Sequence, residues 1–186
     1  MLEIRWHGRG GQGAKTAAEF LAGAAIDAGK FIQAFPEYGP ERAGAPIRSF
    51  TRISDEPIMV HCGVTRPGTV VVIDPTLATK AVLEGLPDDG VLVVNTTKSP
   101  QELKKELGIT KIKVATVDAT KIALDILKAP MPNTPMLGAL VKVSPMVPLE
   151  KIKDKIRDKF LKKIGEEKTK ANIDAIDRAY KEVRIA

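Results

Sequence analysis

Seven residues near the start of the chain, His7-Gly8-Arg9-Gly10-Gly11-Gln12-Gly13, have the composition of an anion-binding loop. Glycines at 8, 10 and 13 fit the spacing G-x-G-x-x-G. The missing side chains permit a tight turn, let a phosphate approach the backbone, and bring a following helix close to a sheet. Arg9 offers a full positive charge beside them. Such a loop works between a strand and a helix, because the helix N-terminus adds free N–H groups and a partial positive charge. The flanks have that form. Residues 2–6 alternate apolar and charged side chains as a strand does. Residues 14–28 are alanine-rich, with Leu21 and Ile26 at helical spacing. Two readings stay open from these residues alone, a phosphate-binding site and a structural turn.

Other reactive side chains are few. Cys62 is the single cysteine, so there is no internal disulfide, and a cluster that takes four thiolates has no set of ligands here. His7 and His61, the only histidines, do not by themselves make a zinc site. Cys62 reads as a small buried residue in a strand, and His61 as a strand residue with a satisfied ring. The 186 residues are 44% hydrophobic and 28% charged, the balance of one ordinary globular domain. No apolar run has membrane-spanning length, and the N-terminus lacks the pattern of a secretory signal, which favours the cytoplasm. A net charge of +6 suits an anionic ligand or an acidic partner. Aromatic content of 4% leaves few platforms for stacking bases, so no nucleic-acid partner is expected.

The remaining pattern supplies the frame. Residues 31–35 read as a second strand. The loop after it, 36–46, carries three prolines, two glycines, Glu37, Tyr38 and Arg42, more chemistry than a simple connection needs. Residues 47–53 alternate, with Arg48, Phe50 and Arg52 on one face, and 58–62 read as the return strand of a hairpin. Arg48 and Arg52 read as a solvated pair that can also meet an anion or a partner. Short β-branched runs at 69–74 and Val91–Asn95, and a less pure one at 112–117, have the character of parallel strands buried on both faces. Helices are expected at 77–86, Pro100–Leu107 and Ala119–Leu127 between and after them. The second begins with the capping box Ser99-Pro100-Gln101-Glu102. A short helix over 136–143 is apolar all round and reads as buried, at a subunit contact among other possibilities. Two charged helices follow, one carrying Leu149, Ile152, Ile156, Phe160 and Ile164 and closed by Gly165, the other Ile173, Ile176, Tyr180 and Val183. The whole is an α/β domain. It is read as a mostly parallel, doubly wound, Rossmann-like sheet with a β-hairpin insertion and C-terminal helices. Ligands in such sheets sit beyond the carboxyl ends of the strands, which places the glycine loop, Glu37, Asp74, Asn95 and Asp118 along one edge. Asp74 and Asp118 also read as helix caps.

Three stretches together resemble one family. They are Gly8-Arg9-Gly10-Gly11-Gln12-Gly13-Ala14-Lys15-Thr16, Tyr38-Gly39-Pro40-Glu41-Arg42-Ala43-Gly44-Ala45-Pro46 with Phe50-Thr51-Arg52-Ile53, and Pro132-Asn133-Thr134-Pro135-Met136-Leu137-Gly138-Ala139. In this order they look like the gamma subunit of the 2-oxoacid:ferredoxin oxidoreductases, of the pyruvate (pyruvate synthase) type, over nearly the whole of 1–186. One departure is Ala45 after Gly44, where many relatives have a second glycine. The resemblance implies one part of an enzyme that turns pyruvate, coenzyme A and oxidised ferredoxin into acetyl-CoA, CO₂ and reduced ferredoxin. It implies alpha, beta and ferredoxin-like delta partner subunits that hold thiamine diphosphate, Mg²⁺ and [4Fe-4S] clusters. This chain would bind none of these alone. Its expected contribution is to help receive coenzyme A through Gly8, Arg9, Gly10, Gly11, Gln12, Gly13, Arg42, Gly44 and Asn133, and to help assemble the thiamine site. Relatives for other 2-oxoacids fit the same motifs. A stand-alone NAD- or flavin-binding protein is the competing reading, since Glu37 lies at a suitable distance after the glycines to hold a ribose. A purely structural module is the third.

The single cysteine generates a direct expectation. The purified chain alone carries no stoichiometric iron and no thiamine diphosphate, and does not reduce an acceptor with pyruvate. Iron analysis and an acceptor-reduction assay check this, and stoichiometric iron would refute it.

Overall fold

The computed structural model describes residues 1–37 and 44–186. Strand β1 (Leu2–Arg9) runs through the first glycine, so the loop proper is Gly10 to Gly13, and α1 (Ala14–Asp27) follows it. β2 (Phe31–Pro36) and β3 (Pro46–Ser54) are antiparallel to each other. β4 (Thr69–Val72), β5 (Val91–Asn95) and β6 (Lys113–Val117) come next, with α2 (Pro100–Leu107) between the last two. α3 (Ala119–Leu127), α4 (Asn133–Val143) and α5 (Leu149–Glu182) complete the helices, and β7 (Arg184–Ile185) is a short last strand. The seven-stranded sheet has the order β2-β3-β1-β4-β5-β6-β7. Its core β1-β4-β5-β6 is parallel, while β3 against β1 and β7 against β6 are antiparallel.

Buried alternation assigns the faces. Ile4, Trp6, Val71, Ile73, Val93, Ala115 and Val117 point to the side carrying α1, α3, α4 and α5. Val70, Val72, Leu92, Val94 and Val114 point to the other side, under Leu103 and Leu107 of α2 and Val82. The capping box at Ser99 and Glu102 forms as expected, and Asp118 accepts from the Lys121 N–H to cap α3.

Several sequence expectations are corrected. The hairpin is β2–β3; residues 58–62 form no strand, because β3 already uses both of its edges, on β1 and on β2. Cys62 and His61 are consequently exposed and outside any strand. The helix expected over 77–86 is two short 3₁₀ turns, Pro75–Leu77 and Lys80–Leu83. The Arg5 guanidinium donates to the carbonyls of Val82 and Glu84, holding this segment against β1. Arg52 is 1% exposed rather than solvated. In register it stands between Glu3 and Gln33, and donates to both, at 2.8 and 2.9 Å.

α4 is buried all round, as its composition predicts, and its cover is α5 of the same chain. α5 breaks at Gly165 (φ 82°, ψ 172°) into two arms, the expected stop. The first arm sets Ile152, Ile156 and Phe160 toward α1, where Phe160 meets Phe20 edge-on with ring centroids 5.1 Å apart. The second presses its backbone onto α4. A Cβ at Gly138 would lie 2.2 Å from the carbonyl oxygen of Ile176. Neither backbone can yield without moving a packed helix. Gly138→Ala should therefore destabilise the chain by about 1–3 kcal/mol. Thermal unfolding checks this, with the midpoint falling about 2–4 °C per kcal/mol.

Candidate functional site

The parallel core places the ends of β1 and β4 side by side. After β1 the chain builds one side of the sheet with the β2–β3 hairpin, and then crosses to β4 on the other side. A crevice beyond the strand ends at such a switch is where α/β sheets hold ligands.

Gly8 sits in β1, where a Cβ would lie 3.3 Å from Ala14 Cβ and 3.7 Å from Ile73 Cβ, so α1 lies close on the sheet. Gly10 donates to Ala45 O at 2.9 Å, and Gly44 donates back to Gly10 O at 3.2 Å, which joins the loop to the start of β3. The Gln12 N–H turns back to Arg9 O at 3.0 Å. Gly13 is the N-cap of α1 in the left-handed region (φ 77°), and no side chain caps this helix. Its ladder begins where the Ala17 N–H reaches Gly13 O, leaving the N–H groups before it without an intrahelical partner.

A second helix end meets this one. A Cβ on Gly13 would lie 2.5 Å from Asn133 Nδ2, so only glycine admits the Asn133 side chain there. Asn133 opens α4, whose N-cap, Pro132, offers no side-chain cap either. Asn133 is 4% exposed and its Oδ1 is buried with no hydrogen-bond partner. The site therefore joins two uncapped helix N-termini and one unsatisfied amide oxygen. By contrast, α2 and α3, away from the junction, are capped by Ser99 and Asp118.

Arg9 is placed differently from the sequence expectation. Its Nη1 donates to Gly44 O at 3.2 Å, its Nη2 to Thr76 Oγ1 at 2.9 Å, and its Nε lies 3.4 Å from Asp74 Oδ2. The guanidinium is a clasp between the strand ends. Gly8, Arg9, Gly10, Gly11, Gln12, Gly13, Gly44 and Asn133 are thus gathered at one edge; Arg42 lies outside the described residues. The sequence puts Asp74 at the ligand edge and makes it a helix cap; its contacts with Gln12 and Arg9 are set by the fold. Its position directly after a buried strand at the ligand edge was the available signal. Burial opposes ionisation of Asp74, but hydrogen bonds from Thr76 and Gln12 and the Arg9 charge outweigh it and keep its pKa below the usual carboxylate range.

On the other sheet face, a cavity of about 580 Å³ is lined by His7, Glu37, Ile47, Arg48, Thr76 and Glu84 among others. His7 Nε2 accepts from Arg5 Nε at 3.0 Å, so the neutral ring carries its proton on Nδ1. Burial first, then the charges of Arg5 and Arg48, lower its pKa to about 4. Glu37, the expected ribose acceptor of a dinucleotide site, is held by Arg48. β3 also separates β2 from β1. That sets Glu37 about 10 Å from β1 instead of about 5 Å, away from the place a dinucleotide site needs it.

The chain matches the family model described as pyruvate ferredoxin/flavodoxin oxidoreductase over residues 3–182. It is 54% identical over 185 residues to pyruvate synthase subunit PorC of Thermotoga maritima, covering 100% of this chain and 96% of the relative. It is 48% identical to the pyruvate/ketoisovalerate oxidoreductases common subunit gamma of Thermococcus kodakarensis, covering 96% and 97%. The crystal structure of the Thermotoga maritima pyruvate oxidoreductase subunit PORC superposes with a TM-score of 0.90 at 51% identity, covering 100% of this chain and 98% of that one. The 2-oxoglutarate:ferredoxin oxidoreductase of Magnetococcus marinus shares the fold, at a TM-score of 0.80 and 22% identity, over 96% of this chain and 30% of that one.

The lowered His7 pKa has a measurable sign. The unfolded chain takes up a proton near pH 6.5 that native His7 refuses until about pH 4. Stability should therefore fall as pH drops through 6.5, by up to about 3 kcal/mol, and this loss stops below about pH 4. His7→Gln retains an acceptor for Arg5 and should show a shallower loss. Melting temperatures of both proteins from pH 7 to 4.5 check this, and parallel curves would refute it.

Proposed function

The chain belongs to the pyruvate ferredoxin/flavodoxin oxidoreductase family, as a gamma-type subunit of an oxidoreductase complex, and on that premise we propose that its glycine loop receives the phosphates of coenzyme A. The observation that carries this is the meeting of two uncapped helix N-termini at Gly13 and Asn133. Free N–H groups and the partial positive charge of two helix N-termini favour a phosphate there. Asn133 Oδ1 lacks a donor, and coenzyme A carries amide N–H and hydroxyl groups that can supply one. The Magnetococcus marinus enzyme, of the same fold, has coenzyme A and succinyl-CoA bound. Arg42 joins the site by its place in the motif.

The partners in this reading are alpha, beta and ferredoxin-like delta subunits, which bring thiamine diphosphate, Mg²⁺ and the clusters that pass electrons to ferredoxin. The donor set of this chain does not fit a cluster. Cys62 is its only cysteine, and the described residues hold no group of three or more metal-ligating side chains. The chain binds and orients one substrate, and the choice of 2-oxoacid is made elsewhere. The Thermococcus kodakarensis gamma subunit, common to pyruvate and ketoisovalerate oxidoreductases, is consistent with that division. No helix of the described residues is long and apolar enough to cross a membrane, in keeping with work in the cytoplasm.

Steady-state kinetics on the assembled enzyme test the reading. Asn133→Asp is nearly isosteric and tolerated at a helix start, but it sets a negative charge where the phosphates would lie. It should raise the Michaelis constant for coenzyme A and leave that for pyruvate unchanged. Arg42→Ala should act alike, removing a charge-assisted contact of about 1.5–3 kcal/mol, roughly a tenfold to hundredfold change. Unchanged coenzyme A constants in both variants would place the site elsewhere.

A further inference from the structure

We infer that Asp74 is a positioning residue that sets the shape of the glycine loop, an inference that rests on the coenzyme A reading of that loop. Asp74 lies at the carboxyl end of the β4 run and is 6% exposed. One carboxylate oxygen does what a cap does. Oδ1 accepts from the Thr76 N–H at 2.9 Å and from the Thr76 hydroxyl at 2.5 Å, ordering the turn Pro75–Leu77. The other oxygen faces away from that turn. Oδ2 accepts from Gln12 Nε2 at 2.5 Å and lies 3.4 Å from Arg9 Nε.

Each of these partners passes the constraint on. Gln12 turns its Oε1 to the Arg9 N–H at 2.8 Å, closing the loop on itself. Thr76, its hydroxyl proton given to Asp74, accepts from Arg9 Nη2 at 2.9 Å. Arg9 then reaches Gly44 O. A single buried carboxylate thereby fixes the end of β1, the glycine loop, the turn after β4 and the approach to β3. A three-residue 3₁₀ turn needs one acceptor oxygen. The second oxygen, aimed at the loop, has no use in capping.

The direction of the donor chain makes this specific. Gln12 must give its NH₂ to Asp74 in order to leave its carbonyl free for the Arg9 N–H. An amide at position 74 still caps Thr76 but presents an NH₂ to Gln12. Gln12 must then flip, and the Arg9 N–H meets a donor. Asp74→Asn therefore spares the turn and breaks the relay.

The test uses the assembled enzyme with Asp74→Asn, and with Asp118→Ala as a control that removes a pure helix cap. Two quantities are read, amide hydrogen exchange of the segment spanning residues 8–14 and the Michaelis constants for coenzyme A and pyruvate. Asp74→Asn should speed exchange in that segment and raise the coenzyme A constant about tenfold or more. Turnover number and the pyruvate constant should stay within about twofold. Asp118→Ala should lower the melting temperature without either change. If Asp74→Asn leaves exchange at 8–14 unchanged, the inference is overturned. It is also overturned if the variant only lowers melting and turnover together, as loss of a cap would. Faster exchange with an unchanged coenzyme A constant supports the positioning role and instead defeats the coenzyme A reading. Should the variant fail to assemble, exchange in the isolated chain decides the positioning role in the same way.

Discussion

The space above Gly13 admits one side chain, that of Asn133, and much else in the molecule follows from that contact. For two helix starts to meet there, both helices must be held rigidly from behind. α1 is seated by Gly8 against Ala14 and Ile73, and α4 by Gly138 against the backbone of Ile176. The first is a contact with the Cβ atoms of two packed residues and the second a close approach of backbone to backbone, and neither leaves room for a larger side chain without moving a packed element. The core thus fixes the distance between two sets of free N–H groups, while hydrogen bonds on the opposite side of the loop fix its path. In the proposed reading such backbone groups are already in place before a ligand arrives, which lowers the ordering cost of binding.

The same sheet shows why a glycine fingerprint alone does not specify a dinucleotide. In the nucleotide-binding arrangement the second strand lies beside the first, and its terminal acid reaches the ribose. Here an antiparallel strand intervenes, and the acid is engaged by Arg48. The intervening strand also carries Arg52 into the interior, paired with its register neighbours on both sides. A buried guanidinium with this many partners is costly to expose and costly to leave unpaired. It fixes the register of β2, β3 and β1 together. The hairpin is in this sense part of the site's support, since Gly10 bonds with Gly44 and Ala45, which lead directly into β3.

What the sequence disclosed, and what it hid, divides along a physical line. Features set by local chemistry were legible: the β-branched runs of β4 and β5, the capping box at Ser99, the stop at Gly165, the glycine loop itself. Features set by pairing between distant segments were not. Residues 58–62 carry a strand-like apolar run, but β3, the strand they would return along, is already paired on both sides with β1 and β2. Residues 77–86 have helical spacing, yet Arg5 claims two of their carbonyls and Gly85 packs with positive φ against the Thr65 backbone. Arg52 looked solvated because its partners, Glu3 and Gln33, lie on two other strands. Within the site, the types of residue were visible and their roles only partly so. Arg9 reads as an anion ligand in a string of letters; it acts as a clasp once Asp74 and Thr76 stand beside it.

The two arms of the last helix carry a consequence for the order of events in synthesis. The loop at residues 10–13 is among the first parts of the chain to be made. Its counterpart Asn133 comes much later, and the arms that clamp α1 and α4 come last, at Leu149–Glu182. Such contacts close large loops and cannot form while the C-terminal third is still on the ribosome. The earliest-made segment therefore acquires its working shape at the end. A truncated or nascent chain that lacks these arms has nothing to hold α1 and α4 together at this edge.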